Sequence, residues 1–177
     1  MEEFKAKRAD LKKIMMIVND AKAHLKANGV DQWQDGYPDE TVILEDIENG
    51  EGYILEDDEG IFGYFALKKC DENYLKIIGK WQSDQKYLAI HRNMIRKDHL
   101  HKGYGRKMFD FIEMIAIKMG YHYLRIDTHK DNRAMLALLE RCGYRYAGVI
   151  TLNRSDENRN AYDKILERED PWKQEQN

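Results

Sequence analysis

A turn with two glycines, Gly103 and Gly105, constrains the fold of this chain more than any other feature. It follows KYLAIHRNMI, residues 86–95, an apolar and aromatic run that predicts a central strand. After the turn, apolar residues recur at helical spacing: Met108, Phe109, Ile112, Ile115, Ala116 and Met119. The chain therefore passes from a strand into a helix packed on a sheet through this turn.

The glycine turn is suited to binding an anion. Glycines let backbone N–H groups approach a ligand at the helix N-terminus, where the helix dipole favours negative charge. Basic side chains around the turn suit the phosphates of a nucleotide-type cofactor. They are Arg96, Lys97, Lys102, Arg106 and Lys107. The dinucleotide fingerprint fails because its third glycine would fall at Met108, and the GK[ST] ending of a P-loop is absent.

The other patterns predict one α/β (α+β) domain over residues 1–169 and a flexible tail at 170–177. Helical periodicity predicts a first helix up to Asn28-Gly29, and Asp39 is placed to cap a short second helix. A further helix opens at Asn132. Strands are predicted at 4–8, 53–56, 61–67, 121–128, 144–152 and 161–166, and a short helix around Tyr74, Leu75, Ile77 and Ile78. This order predicts a mixed sheet with helices on its faces.

Composition and charge exclude several classes of protein. A net charge of −3 argues against a nucleic-acid binder. No apolar run approaches the roughly 18 residues of a membrane span, and no signal-type stretch follows the N-terminus, so we expect a cytoplasmic protein without a membrane partner. Cys70 and Cys142 suggest neither a disulfide framework nor a zinc site. Residues 31–59 hold 12 acidic side chains and no Lys or Arg, which predicts a solvated face or, less favoured, a surface that attracts the acceptor.

From residue 86 to about 166 the sequence resembles the GNAT acyltransferases, whose central motif is a strand, then R/Q-x-x-G-x-G/A, then a helix. The motif here is Leu100-His101-Lys102-Gly103-Tyr104-Gly105. The strand YLRIDTHKDN, the helix from Asn132, the pair Gly143-Tyr144 and a terminal hairpin follow in the family's order. The resemblance implies a GNAT-like mixed, mostly antiparallel sheet flanked by helices on both faces. It also implies acetyl-CoA as cofactor, and a homodimer through the terminal strands is common in the family.

The activity that the resemblance implies is acetyl transfer to a primary amine of a small molecule, peptide or protein, by direct attack in a ternary complex. The cofactor-binding residues carried over by position are Ile95, Leu100, His101, Lys102, Gly103, Tyr104, Gly105, Arg106 and Asn132. Asn132 is equally expected as a helix N-cap, and the two roles are compatible.

Two departures from the family pattern favour an alternative function. Leu100 replaces the Arg or Gln that opens the motif, and Leu139 replaces the Tyr that commonly protonates the departing thiolate. Tyr144 is then a candidate substitute acid, with packing in a strand as its other explanation. The alternative is a non-catalytic acyl-CoA-binding or interaction module with a degenerate site.

His91 is the candidate base. It lies four residues before Ile95, where some family members place a catalytic histidine, and its ordinary pKa near 6.5 suits proton transfer. A histidine satisfied in the core is the competing explanation. Acceptor-binding candidates, each with a structural alternative as a turn, cap or core-covering residue, are Trp33, Tyr37, Trp81, Asp127 and His129. No carboxylate or thiol set at ligand spacing accompanies the histidines, so no metal is expected.

Overall fold

The computed structural model describes residues 4–166, which form four α-helices and one seven-stranded sheet. The helices are α1 (Leu11–Ala27), α2 (Glu40–Glu48), α3 (Tyr104–Lys118) and α4 (Arg133–Arg141). The strands are β1 (Gly52–Asp57), β2 (Gly60–Lys68), β3 (Ile78–Gly79), β4 (Leu88–Ile95), β5 (Tyr123–Thr128), β6 (Arg145–Thr151) and β7 (Asn158–Ile165). The tail predicted at 170–177 lies outside the described residues. No helix within residues 4–166 has the length and apolar character of a membrane span.

The strand order is β1-β2-β4-β5-β7-β6-β3. Every neighbouring pair is antiparallel except β4 and β5, which are parallel and are joined by a crossover through α3. The predicted mixed, mostly antiparallel sheet is confirmed.

Helices cover both faces of this sheet, as predicted. Successive residues of β1 point to opposite faces, since the side-chain period of a strand is two. Tyr53 belongs to the cluster that contains Phe109 of α3 and Leu139 of α4. Its neighbour Ile54 belongs to the cluster that contains residues of α1 and α2, including Ile43. The sheet therefore separates one apolar layer under α3 and α4 from another under α1 and α2.

The parallel strands β4 and β5 pair over only part of their length. Their register runs from Leu88 opposite Leu124 to Ile90 opposite Ile126 and then ends. Just beyond, β4 has an irregularity in its pairing with β2, and Arg92 has a φ of 51°. Such a bulge bends the strand and re-aims its side chains. The C-terminal half of β4 thus separates from β5 and opens a cleft between the strands.

Two predicted elements were wrong. The strand predicted at 4–8 is reduced to a single bridge between Lys5 and Tyr53, because the chain turns into a 3-10 helix at Arg8–Asp10. The helix predicted around Tyr74 to Ile78 is a 3-10 helix at Glu72–Lys76, and Ile78–Gly79 forms β3 against β6. A Cβ at Gly79 would lie 2.2 Å from the Ala147 carbonyl oxygen, so only glycine permits this approach.

Candidate active site

Two cavities meet where β4 separates from β5. The first has a volume of about 340 Å³ and lies among the C-terminal end of β4, the glycine turn, α3 and α4. The second has a volume of about 410 Å³ and lies among the loop before α2, residues 68–73, the middle of β4 and the turn between β6 and β7. Four residues line both cavities and define their junction: Gln32, Trp33, Asn93 and Asp127.

The glycine turn forms one wall of the first cavity. Gly103 is the N-cap of α3 with a φ of 83°, a conformation that L residues rarely adopt. A Cβ at Gly105 would lie 2.9 Å from Leu138 Cδ2, so the glycine allows α3 to approach α4 closely. The N-terminus of α3 therefore opens toward the cavity with its backbone N–H groups available to an anion.

Most of the residues predicted to bind a cofactor line this cavity. Those that do are Ile95, Leu100, His101, Gly103, Gly105, Arg106 and Asn132. Lys102 is exposed and lies outside the lining. Tyr104 is also outside it, because its ring packs edge-on against Phe62 and His99 with centroids 4.9 and 4.5 Å away.

His99, a residue that the sequence analysis assigned no role, holds the start of the glycine turn. Its Nδ1 lies 2.8 Å from Asp98 Oδ1, its Nε2 lies 2.8 Å from Asp57 Oδ2, and its ring stacks on Phe62. Hydrogen bonding to Asp98 and then to Asp57 raises the pKa of His99 above its ordinary value, because both carboxylates stabilise the imidazolium. The turn is thereby anchored to the end of β1.

Asn132 lies where the two expected roles coincide. Its Oδ1 accepts a hydrogen bond from the Met135 backbone N–H at 3.3 Å, which caps α4. Its Nδ2 donates to Gln32 Oε1 at 3.1 Å. Gln32, which is buried, also accepts from Thr128 Oγ1 and from the His129 backbone N–H, both at 3.4 Å. The loop before α2 is thereby tied to the ends of β5 and α4.

The second cavity contains His91 beside Asp71. His91 Nε2 lies 3.0 Å from Asp71 Oδ2, and the two side chains are 15% and 11% exposed. Burial favours the neutral form of Asp71, but contact with His91 and its charge hold the pKa of that carboxyl below its ordinary value. The Nε2 edge of the ring faces the carboxylate at ion-pair distance without hydrogen-bond geometry, and Nδ1 is the ring nitrogen on the other side. His91 is thus largely buried, yet it lines a cavity and is oriented by a carboxylate.

Asp127 lies at the junction of the two cavities, and the environment of its carboxyl group differs from that of Asp71. Its Oδ2 accepts a hydrogen bond from the Tyr74 hydroxyl at 2.9 Å. Burial raises the pKa of Asp127 above its ordinary value, against the opposing charge of His91 and the Tyr74 hydrogen bond. The structure therefore brings two predicted polar residues, His91 and Asp127, to one cavity.

The aromatic candidates divide into two groups. Trp33 lines both cavities, and its φ is 65°. Tyr37 lines the second cavity, where its hydroxyl accepts a hydrogen bond from Arg92 Nη1 at 2.6 Å. Trp81 lines neither cavity: its Nε1 donates to the Tyr74 carbonyl at 3.1 Å, and its ring covers the core. Trp33 and Tyr37 remain acceptor-wall candidates, and Trp81 does not.

The predicted roles of His129 and Tyr144 find no support in their positions. His129 Nδ1 accepts from the Asp131 backbone N–H at 3.2 Å, which is a turn contact outside both linings. Tyr144 is 3% exposed and packs edge-on against Phe109 in the core. Burial raises the pKa of the Tyr144 hydroxyl well above its ordinary value, which disfavours ionisation. Leu139 is completely buried, and no tyrosine of residues 4–166 lines the first cavity.

Three residues of the site had no predicted role: Gln32, Asp71 and Met135. Asp71 lies 20 positions from His91 in a segment without regular periodicity, so only the fold brings them together. Gln32 had a weak signal, because it precedes Trp33 in a loop already assigned to the acceptor side. Met135 packs against the core under α3 and α4 and also lines the first cavity. Within the described range, no group of three or more His, Cys, Asp or Glu is placed to hold a metal ion.

Comparisons with known proteins agree with this architecture. Residues 15–144 match the model of the acetyltransferase (GNAT) family. A GNAT-family acetyltransferase from Streptococcus agalactiae 2603 is 32% identical, with a TM-score of 0.82 over 92% of this chain and 94% of that chain. A search of curated proteins finds no match.

Two more distant solved structures share the fold. A GNAT-family acetyltransferase from Listeria monocytogenes 4b F2365 is 24% identical, with a TM-score of 0.71 over 92% of both chains. The yncA protein of Salmonella typhimurium, solved with its cofactor acetyl-CoA, is 18% identical, with a TM-score of 0.67 over 93% of this chain and 92% of that chain. The family model covers more than two thirds of the sequence, and the chain belongs to the GNAT family of acetyltransferases, which use acetyl-CoA.

Proposed function

We propose that this protein is an N-acetyltransferase that transfers an acetyl group from acetyl-CoA to a primary amine by direct attack in a ternary complex. The observation that carries the proposal is the junction of the two cavities. One cavity has an anion-binding turn, and the other has a histidine oriented by a carboxylate, with Asp127 shared between them. This arrangement suits two substrates that are bound at once and react where the cavities meet.

The first cavity fits the cofactor. Acetyl-CoA supplies an acetyl thioester when it is bound. The N-terminus of α3 from Gly103 to Arg106 would hold the pyrophosphate through backbone N–H groups. The part of β4 beyond Ile90 does not pair with β5, so its main chain is free to bind the pantetheine amides near Ile95. Met135 and Leu138 supply an apolar wall that excludes water.

The second cavity supplies the proton acceptor. An amine attacks only when it is neutral, so a base must take its proton before or during attack. His91 Nδ1 would accept that proton, directly or through one water. Asp71, held as the carboxylate at Nε2, would stabilise the resulting imidazolium.

The alternative function gains support from the step in which the CoA thiolate departs and needs a proton. No tyrosine of the described residues lines the first cavity, and Leu100 and Leu139 replace polar family residues. A non-catalytic acyl-CoA-binding module would have these features as well. The two functions differ in one observable, which is the amine-dependent release of CoA.

The test is free CoA release from acetyl-CoA across a panel of amines, amino acids and peptides. Wild type, His91→Ala and the matched control His122→Ala, whose histidine lies outside both cavity linings, are compared. We expect amine-dependent release that falls by about 10²–10⁴-fold in His91→Ala with acetyl-CoA affinity retained. Release that survives in His91→Ala would remove the proposed base. Binding of acetyl-CoA without release by any amine would favour the non-catalytic module.

The cellular location of the protein and its oligomeric state remain predictions. Cys70 and Cys142 are both free thiols, and free thiols persist in reducing compartments, which supports the cytoplasm as the proposed site of action. A homodimer is proposed from the family resemblance alone.

A further inference from the structure

The charges around the second cavity bear on the chemical class of the acceptor. Four Lys or Arg side chains line it, and each lies within 4.0 Å of a carboxylate. The pairs are Arg92 with Asp46 at 2.6 Å, Arg159 with Glu157 at 2.5 Å, Lys68 with Glu51 at 3.5 Å, and Arg154 with Asp35. The cations of this cavity are therefore already neutralised by the protein.

Three of the four partner carboxylates come from the acidic stretch at 31–59. These are Asp35, Asp46 and Glu51. The sequence predicted a solvated face or a surface that attracts the acceptor; Asp35 is exposed, as a solvated face requires, whereas Asp46 is buried and Glu51 is partly buried. They cancel positive charge at the cavity, and the Asp46 carboxylate is buried beneath it.

Three other carboxylates line the same cavity without such a partner. They are Asp71, Glu72 and Asp127. Among residues 4–166, no Lys or Arg side chain forms an ion pair with any of them; Asp71 contacts His91, and Asp127 accepts from Tyr74. After internal pairing, Asp71 remains a carboxylate, Glu72 has no cationic partner in the described part of the chain, and Asp127, whose pKa is raised by burial, ionises more readily when a cation binds beside it.

The carboxyl groups without a Lys or Arg partner extend from the junction to the mouth of the second cavity. Asp127 also lines the first cavity, so it lies beside the place where the acetyl group is to be transferred. Glu72 is exposed, at the solvent side of the second cavity. The Trp33 indole lines the junction, and the face of an indole attracts cations. Two separated anionic positions and an aromatic wall are complementary to a molecule with two cationic centres.

We propose that the acceptor is an alkyl diamine or polyamine, whose reacting ammonium binds beside Asp127 and whose second ammonium lies toward Glu72. The proposal rests on the proposed function, because it names the acceptor of that same site. The reacting ammonium first loses one proton to His91 Nδ1, and the neutral nitrogen forms the new bond to the acetyl carbon as the C–S bond of the thioester breaks. The second proton released by the nitrogen passes to the departing CoA thiolate, directly or through water. The second ammonium keeps its charge throughout.

A matched series of three ligands tests the proposal without requiring turnover. Butylamine, 1,4-diaminobutane and 4-aminobutanoate share a four-carbon frame and differ in far-end charge. Binding to the full chain is measured by calorimetry without acetyl-CoA. We expect the diamine to bind about tenfold more tightly than the monoamine, because a charge-assisted contact is gained, and the amino acid to bind most weakly. Equal affinities, no binding of the diamine, or tighter binding of the amino acid would overturn the proposal.

Single substitutions test which carboxyl group binds each ammonium of the diamine. Glu72→Gln, at an exposed position, is expected to reduce the preference for diamine over monoamine by about fivefold, and Asp127→Asn to weaken binding of both. Asp84→Asn removes the same charge at an exposed site outside the cavity and is expected to change neither. If Glu72→Gln leaves the preference intact, the placement of the second ammonium is wrong.

Failure of this proposal is distinguishable from failure of the proposed function. Ordered binding of the series without CoA release would support the acceptor class and contradict acetyl transfer. CoA release with an uncharged or acidic acceptor, combined with no diamine preference, would support transfer and contradict the acceptor class.

Discussion

The two cavities are built in different ways. One continuous segment, from the end of β4 through the glycine turn into α3, supplies the largest share of the first cavity's lining, and α1 and α4 supply most of the rest. The second is made by side chains from separate segments, with His91 on β4, Asp71 before a 3-10 helix and Asp127 on β5. Main-chain binding of a common cofactor tolerates changes such as Leu100, whereas side chains from several segments can be changed one at a time to suit an acceptor.

The largest effect is expected from blocking the first cavity. In Gly105→Glu, the new side chain meets Leu138 and places a carboxylate where the pyrophosphate is to bind, so acetyl-CoA affinity is expected to fall at least about 100-fold. Calorimetry measures the affinity, and thermal unfolding verifies that the variant is folded. Lys118→Glu, at the opposite end of α3, is the control. Retained affinity in Gly105→Glu would contradict the assignment of this cavity to the cofactor.

A change in the second cavity is expected to leave the cofactor untouched. Asp71→Asn removes the carboxylate that orients His91, so kcat/KM for the amine is expected to fall about 10- to 100-fold with unchanged acetyl-CoA affinity. Asp58→Asn, at an exposed turn position, serves as the matched control in the same rate assay. A similar loss in cofactor affinity would show that the two cavities do not act as separate binding sites.

Gln32 tests whether the two cavities are coupled. Gln32→Leu leaves Asn132 Nδ2 without its acceptor, and the free energy of unfolding is expected to fall by about 1–2 kcal/mol. Because Gln32 lines both cavities, KM for the cofactor and KM for the amine are expected to rise together. Gln32→Glu keeps an acceptor oxygen and is expected to lower the free energy of unfolding by less. If only one KM changes, Gln32 contributes to binding in only one of the two cavities.

The smallest expected effect is a pH dependence of stability, which arises at the glycine turn of the first cavity. The pKa of His99 is raised in the folded state, so its stabilising contribution is fully present below about pH 6.5 and is lost as pH rises through the folded-state pKa. His99→Gln is expected to flatten this part of the stability profile. Urea unfolding between pH 6 and 9 measures it, and an unchanged slope in His99→Gln would exclude the imidazolium as the anchor of the turn.

The same contrast explains how much the sequence could predict. The strand, glycine turn and helix are local, so β4 and α3 followed from periodicity and from Gly103 and Gly105, whereas the predicted cofactor-binding residues came from the resemblance to the GNAT family. Asp39 and Asn132 were placed as helix caps, and both cap their helices. The second cavity depends on contacts between distant segments, so Asp71 was missed. Trp81 and Tyr144 pack against the core outside both cavity linings, and aromatic side chains in the core give the same sequence signal as those that line a site.

The central claim is that the two substrates are bound together and react where the cavities meet. It is tested most directly by initial rates of CoA release with acetyl-CoA and 1,4-diaminobutane varied against each other. We expect that release requires the amine and that the double-reciprocal lines intersect, as in a ternary complex. Parallel lines, or CoA release at the same rate without amine, would contradict direct transfer across the junction.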